Sequence, residues 1–197
     1  MSLPSLVVLA AAVEELQRRL NKLEKLKPKT VYMGGGGVSD HAFLSNVTET
    51  QHHLHAFGEI YTYDNVVATV LAAQDTWYQV NVFTADGVIH EMIPDSANNR
   101  IEVVHTGNYL CTCSISSYSA QVNDYVFALF KNGVELENME SARTTSVAGQ
   151  LIGGTITGLA ALTTGDYVTL WVKRLDGGAI SKSVTCSLIN FSLVRLL

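Results

Sequence analysis

The sequence predicts a mainly β protein, an antiparallel sandwich or barrel preceded by a short helical coil. Three observations predict it. Residues 107–116 alternate strictly: Tyr109, Cys111, Cys113 and Ile115 share one face, while Asn108, Thr112, Ser114 and Ser116 fall largely on the other. A period of two marks a half-buried strand. Four more runs of this kind follow, at 124–131, 151–162, 166–174 and 181–196. Turn chemistry stands between them: Asn132-Gly133, Gly153-Gly154, Gly165-Asp166 and Asp176-Gly177-Gly178. Short strands at regular spacing with glycine-rich turns define an antiparallel sandwich or barrel.

The chain starts with a helical pattern over residues 3–26. Leu6, Val13 and Leu20 recur every seven residues, and Leu9, Leu16 and Leu23 follow each by three. These are a and d positions of three heptads. Glu14, Glu15, Arg18, Arg19, Lys22, Glu24 and Lys25 fill the outer face. Ser2 or Ser5 caps the start, Pro4 sits near the first turn, and Pro28 ends the helix. The pattern fits a self-associating coil or an amphipathic helix lying on its own domain. The apolar run 6–13 has no basic stretch before it and no small-residue cleavage site, so we expect no signal peptide. It is also too short to span a membrane, because charge arrives at Glu14.

Four glycines, Gly34 to Gly37, interrupt the chain next. They act either as a linker or as a site of close backbone packing. No Lys-Ser or Lys-Thr follows them, so they form no phosphate loop. Residues 38–65 hold His41, His52, His53 and His55. The expected organisation is therefore a coil over 1–30, a linker and adaptor over 31–65, and a β domain over 66–197.

Opening strands are expected at 66–71, at 76–84 and at 101–104. Ala85-Asp86-Gly87-Val88 reads as a hairpin turn and Asn98-Asn99-Arg100 as another. With the five later runs the count reaches eight, the number a jelly roll needs.

The later motifs occur in a telling order. Gly107-Asn108-Tyr109 opens a strand. Tyr125 to Gly133 is a strand ending in an Asn-Gly turn. Leu162-Thr163-Thr164-Gly165-Asp166-Tyr167-Val168 joins a leucine, two polar residues, Gly-Asp, an aromatic and a valine. The final strand, Ile189 to Leu196, is amphipathic. Over residues 68–197 the chain resembles the jelly-roll domain shared by tumour necrosis factor and the globular heads of complement and collagen-like proteins. Bacteriophage fibre and head-decoration proteins use similar domains. The resemblance implies a homotrimer that presents a binding surface and performs no catalysis. On that basis the oligomerisation residues are Leu6, Leu9, Val13, Leu16, Leu20 and Leu23 of the coil, with Phe127, Trp171 and Phe191 of the β domain. Tyr118 and Asn123, in the polar stretch 116–124, are candidate tip contacts, since loops at sandwich ends carry recognition.

A trimer changes the reading of the histidines. In an extended segment His53 and His55 share a face. Three copies about an axis would supply six imidazoles, the set of an octahedral transition-metal site. The plain alternative is a set of polar histidines without metal, and no other cofactor is expected.

Composition limits the rest. The chain has 197 residues, 47% of them hydrophobic and only 16% charged. So low a charge fits a chain whose surface is partly covered by its own copies. The net charge of −5 and the scarcity of basic residues outside 18–29 argue against nucleic acid as a partner. Cys111, Cys113 and Cys186 form no disulfide framework and read as small buried side chains, with one bridge between facing strands left open. No nucleophile stands beside a base at a recognisable spacing, and no G-x-S-x-G elbow occurs. Glu135, Glu137 and Glu140 read as a solvated acidic loop. The expected protein is a structural, adhesive component of a bacteriophage surface, assembled in the host cytoplasm. It is a head fibre or decoration protein or a short tail fibre. Its partners are its own copies, the capsid or tail, and a host-surface glycan or receptor. A secreted or cell-surface lectin-like domain is the other reading.

Overall fold

The computed structural model describes residues 14, 17, 18, 56–177 and 181–196. The chain forms two compact units, Met1–Thr48 and Glu49–Leu197. In the first, Glu14, Gln17 and Arg18 are helical and exposed. The heptad positions Leu6 to Leu23 lie outside the described residues, as do His53, His55 and the four glycines.

Among its described residues the second unit is all β apart from one 3-10 turn. Its strands are β1 (Phe57–Thr62), β2 (Thr69–Leu71), β3 (Tyr78–Gln79), β4 (Ala85–His90), β5 (Met92–Asp95), β6 (Arg100–Val103), β7 (Gly107–Tyr118), β8 (Asn123–Lys131), β9 (Val134–Thr145), β10 (Ile152–Leu162), β11 (Tyr167–Arg174) and β12 (Lys182–Leu196). They build two antiparallel sheets. The first runs β10-β7-β12-β1-β4, with β2 also on β12; the second runs β5-β6-β11-β8-β9, with β3 also on β11. This is a jelly-roll sandwich. The fold absorbs β1, so the β domain begins before the expected residue 66.

The core follows from the alternation. Tyr109, Cys111, Cys113 and Ile115 of β7, and Ile189, Phe191 and Leu193 of β12, point inward from the first sheet. Tyr125, Phe127 and Leu129 of β8 and Val168, Leu170 and Val172 of β11 meet them from the second. Phe127 is 1% exposed and Phe191 0% within a single chain. Their rings fill the space between the sheets, so they offer no surface to a partner, contrary to the expected interface role.

Two turns read from the sequence hold one end together. Asn132 and Gly133 both have positive φ, 51° and 79°, as a two-residue hairpin demands. The Asn132 amide donates to Asp166 Oδ1 (2.6 Å), and its oxygen accepts from the Tyr167 N–H (2.9 Å). Gly165, at φ 86°, lets Asp166 fold back so that its Oδ2 accepts from the Thr163 N–H (2.7 Å) and hydroxyl (2.9 Å).

Three expected loops are strand instead. Gly87 lies within β4, where a Cβ would overlap the Glu59 carboxylate, so this glycine serves close approach rather than a turn. The chain passes from the first sheet to the second at Glu91, whose φ is 49°. Gly153 and Gly154 lie within β10, and the Arg143 Nε crosses them to donate to the Gly153 carbonyl (2.7 Å). Glu135, Glu137 and Glu140 belong to β9 rather than to a loop. In the expected strand 76–84 only Tyr78 and Gln79 pair, with Val172 and Trp171 of β11.

Candidate recognition surface

The two outer faces of the sandwich differ in chemistry. On the first sheet the outward positions of β1, β7, β10 and β12 carry Phe57, Tyr61, Leu110, Leu159, Leu188, Val194 and Leu196, spaced by Ser, Thr and Asn. Glu59 is the one charged residue among these outward positions. A shallow groove of about 270 Å³ crosses this face, walled by Phe57, Val88 and Val194. On the second sheet the outward positions include Asp95, Arg100, Glu102, Asp124, Glu135, Glu140 and Lys173.

An aromatic group is set into that charged face. Alternation along β11 turns Tyr167, Thr169, Trp171 and Lys173 outward. Trp171 stacks on Phe130 of β8, with centroids 4.8 Å apart and planes at 24°. Trp77 meets Phe130 edge-on at 5.2 Å and 74°. These are the two favoured aromatic geometries. Each indole is also held by its nitrogen. Trp171 Nε1 donates to Thr169 Oγ1 (2.8 Å), and Trp77 Nε1 donates to Glu135 Oε2 (2.9 Å). The Lys173 ammonium caps the Trp77 ring, 4.3 Å from its centroid.

Beside Trp171 lies a cleft of about 320 Å³. Its cause is a change of strand partner. β11 pairs with β6 at Tyr167 and Val168, then with β3 at Trp171 and Val172. Between them Thr169, itself buried, pairs with neither strand and lines the floor of the cleft. Gln79 of β3 stands opposite Trp171, and Arg100 of β6 and Asn98 of the 3-10 turn form the other wall. The Arg100 guanidinium lies 5.1 Å from the Tyr167 ring centroid and pairs with Asp95 (3.5 Å) and Glu102 (3.4 Å). Asp95 is in turn held below the ordinary carboxylate range, chiefly by the Asn98 side-chain amide, with Arg100 adding to the effect. The side chain of Gln79 makes no hydrogen bond among the described residues.

Other titratable groups are structural. Burial pushes the Cys111 and Cys186 thiols up to about 12, and burial with help from neighbouring Cys186 raises Cys113 well above the usual thiol range. All three cysteines are free and buried, so none is a ready nucleophile. Burial also raises Asp166, but Lys131 (2.7 Å), Thr163 and Asn132 outweigh it and hold the carboxyl well below its usual range. Glu140 is raised, first by its hydrogen bond with Glu135, then by burial. Among the described residues no group of three His, Cys, Asp or Glu could hold a metal ion, and no helix is long and apolar enough to cross a membrane.

Of the residues singled out in the sequence, Trp171 lies at the aromatic cleft, on the charged sheet. The expected interface role for Trp171 would need that face, not the neutral one. Tyr118 ends β7 and is half-buried. Asn123 opens β8 at 3% exposure, so its side chain faces the interior and makes no tip contact. Sequence reasoning missed Trp77, Gln79, Asn98 and Arg100. The aromatic pair Trp77 and Trp171 was the available signal; their proximity was not.

No protein-family profile matches the chain, and no curated protein does. Solved structures do. The globular domain of zebrafish complement 1qA protein is 13% identical, with 72% of this chain and 98% of that chain covered and a TM-score of 0.50. The Eiger tumour necrosis factor of S. frugiperda is 16% identical, with 72% and 94% covered and a TM-score of 0.47. The domain thus has the jelly-roll fold of the complement 1qA globular domain.

Proposed function

We propose that the protein is a non-catalytic homotrimeric recognition domain, with its first sheet turned to the three-fold axis and its second sheet facing outward. One observation carries this reading: the outward positions of β1, β7, β10 and β12 in the first sheet carry a single charge, while those of the second sheet carry many. Interface cores are depleted of charge and enriched in apolar and aromatic side chains. A neutral face spanning four strands is self-complementary with copies of itself, whereas a charged partner would leave its own charges unpaired there. The number three is what the family resemblance implies. The domain's carrier, in our reading, is a bacteriophage particle. The supporting feature is the order of segments: a heptad stretch, a four-glycine break, then the jelly roll. Residues 1–30 would dock or register the trimer, and the jelly roll would face the host. The aromatic cleft favours recognition over a purely cementing role, and it would serve a secreted lectin-like domain equally.

Sedimentation equilibrium of the full chain at micromolar concentration tests the assembly. We expect three times the chain mass, and a stable monomer would overturn the reading. Antibody labelling of particles from the producing cells tests the carrier: label on heads or tails is expected, and label confined to membranes or medium supports the lectin-like alternative.

A further inference from the structure

We propose that the cleft beside Trp171 is a binding site for a neutral pyranose ring of a surface glycan. The inference rests on the reading of this domain as a recognition module and names its ligand class.

The floor and wall of the cleft are fixed before any ligand arrives. One face of the Trp171 indole is occupied by Phe130, and its nitrogen is committed to Thr169. Trp171 is also one of the residues that line the cleft. A held aromatic ring with one free face attracts the apolar face of a sugar ring, whose C–H groups meet the negative π cloud. Hydroxyls project from the rim of such a ring and need both donors and acceptors. Gln79 offers an amide with both, free of other bonds among the described residues. Asn98 Nδ2 is committed to Asp95 (2.7 Å), which leaves its carbonyl oxygen as an acceptor at the opposite wall. The volume of about 320 Å³ stands at the small end of ligand pockets, a size suited to a single ring.

Charge narrows the ligand class. Among the described residues lining the cleft the one cation is Arg100, which is already shared between Asp95 and Glu102. The local balance is therefore negative, and an acidic sugar or a phosphate chain would be repelled. Trp77, the other candidate platform, is capped by Lys173. Trp171 is thus the open indole of the pair.

The test uses the full chain and methyl pyranosides of glucose, galactose, mannose and N-acetylglucosamine, with methyl N-acetylneuraminide as the acidic comparator. Saturation-transfer NMR at about 20 mM glycoside reads binding in the weak range expected for so small a ligand. We expect transfer to the C–H protons of at least one neutral glycoside, accompanied by a change in tryptophan fluorescence. Trp171→Ala should weaken it by about tenfold or more, and Gln79→Ala by about threefold. Gln79 is a surface residue outside the core, so that second variant is readable if the first folds poorly. Absence of transfer to every neutral glycoside overturns the site, as does transfer that survives both substitutions or that favours the acidic sugar. A trimer that binds none of the glycosides would remove the glycan and leave the assembly reading intact. A monomer that binds would do the reverse.

Discussion

Asp166 shows how much a single residue can organise. Its carboxylate joins Lys131 at the end of β8, Asn132 in the hairpin turn and Thr163 at the end of β10. Hydrogen bonds to a charged group are worth about 1.5–3 kcal/mol each, and these share one acceptor, so they do not add in full. Asp166→Asn should therefore cost about 2–4 kcal/mol at pH 7. The folded-state pKa of Asp166 is depressed below the unfolded value of about 3.9. Its stabilisation is thus complete above that value and is lost as pH falls towards the folded pKa. Urea melts at pH 7 and pH 3 should show the gap between parent and variant narrowing in acid. An equal gap at both would mean that the charge of Asp166 does not matter.

At the level of the element, β8 is the spine of the second sheet. It is apolar on both faces: Tyr125, Phe127 and Leu129 point inward, while Val126, Ala128 and Phe130 are covered on the outside. Trp171 and Trp77 supply much of that outer cover at Phe130. The inner side meets the opposite sheet, so truncating Phe127 opens a cavity that rigid sheets close only in part. Phe127→Ala should lower stability by about 3–5 kcal/mol, read as a shift of the urea midpoint at constant slope. A midpoint equal to the parent's would show that Phe127 does not pack between the sheets.

For the whole molecule the decisive property is the contrast between faces. If the neutral sheet is buried in the trimer, a charge placed at its centre must be desolvated without a partner, which costs several kcal/mol. Val194 is 39% exposed in the single chain and sits on β12, the middle strand of that sheet. Val194→Glu should yield a folded monomer, with the parent's far-ultraviolet spectrum and one third of its sedimenting mass. A variant that remains trimeric would place the interface elsewhere.

The sequence by itself determined the mainly β class, the later strands from Gly107 onward apart from β9, the inward faces of β7 and β12, and the two turns at Asn132-Gly133 and Gly165-Asp166. These are local properties: a period of two and a need for positive φ are written in neighbouring residues. Tertiary structure alone decided the rest. Gly87 and Gly154 look like turn residues in one dimension, yet they make room for Glu59 and Arg143 from other strands. Phe127 and Trp171 are both aromatic residues on strands, and only the packing of two sheets sends one into the core and the other to the surface. The cleft is the clearest case. Gln79, Arg100 and Trp171 come together because β11 exchanges one partner strand for another, and pairing between distant segments leaves no trace in the spacing of the residues it joins.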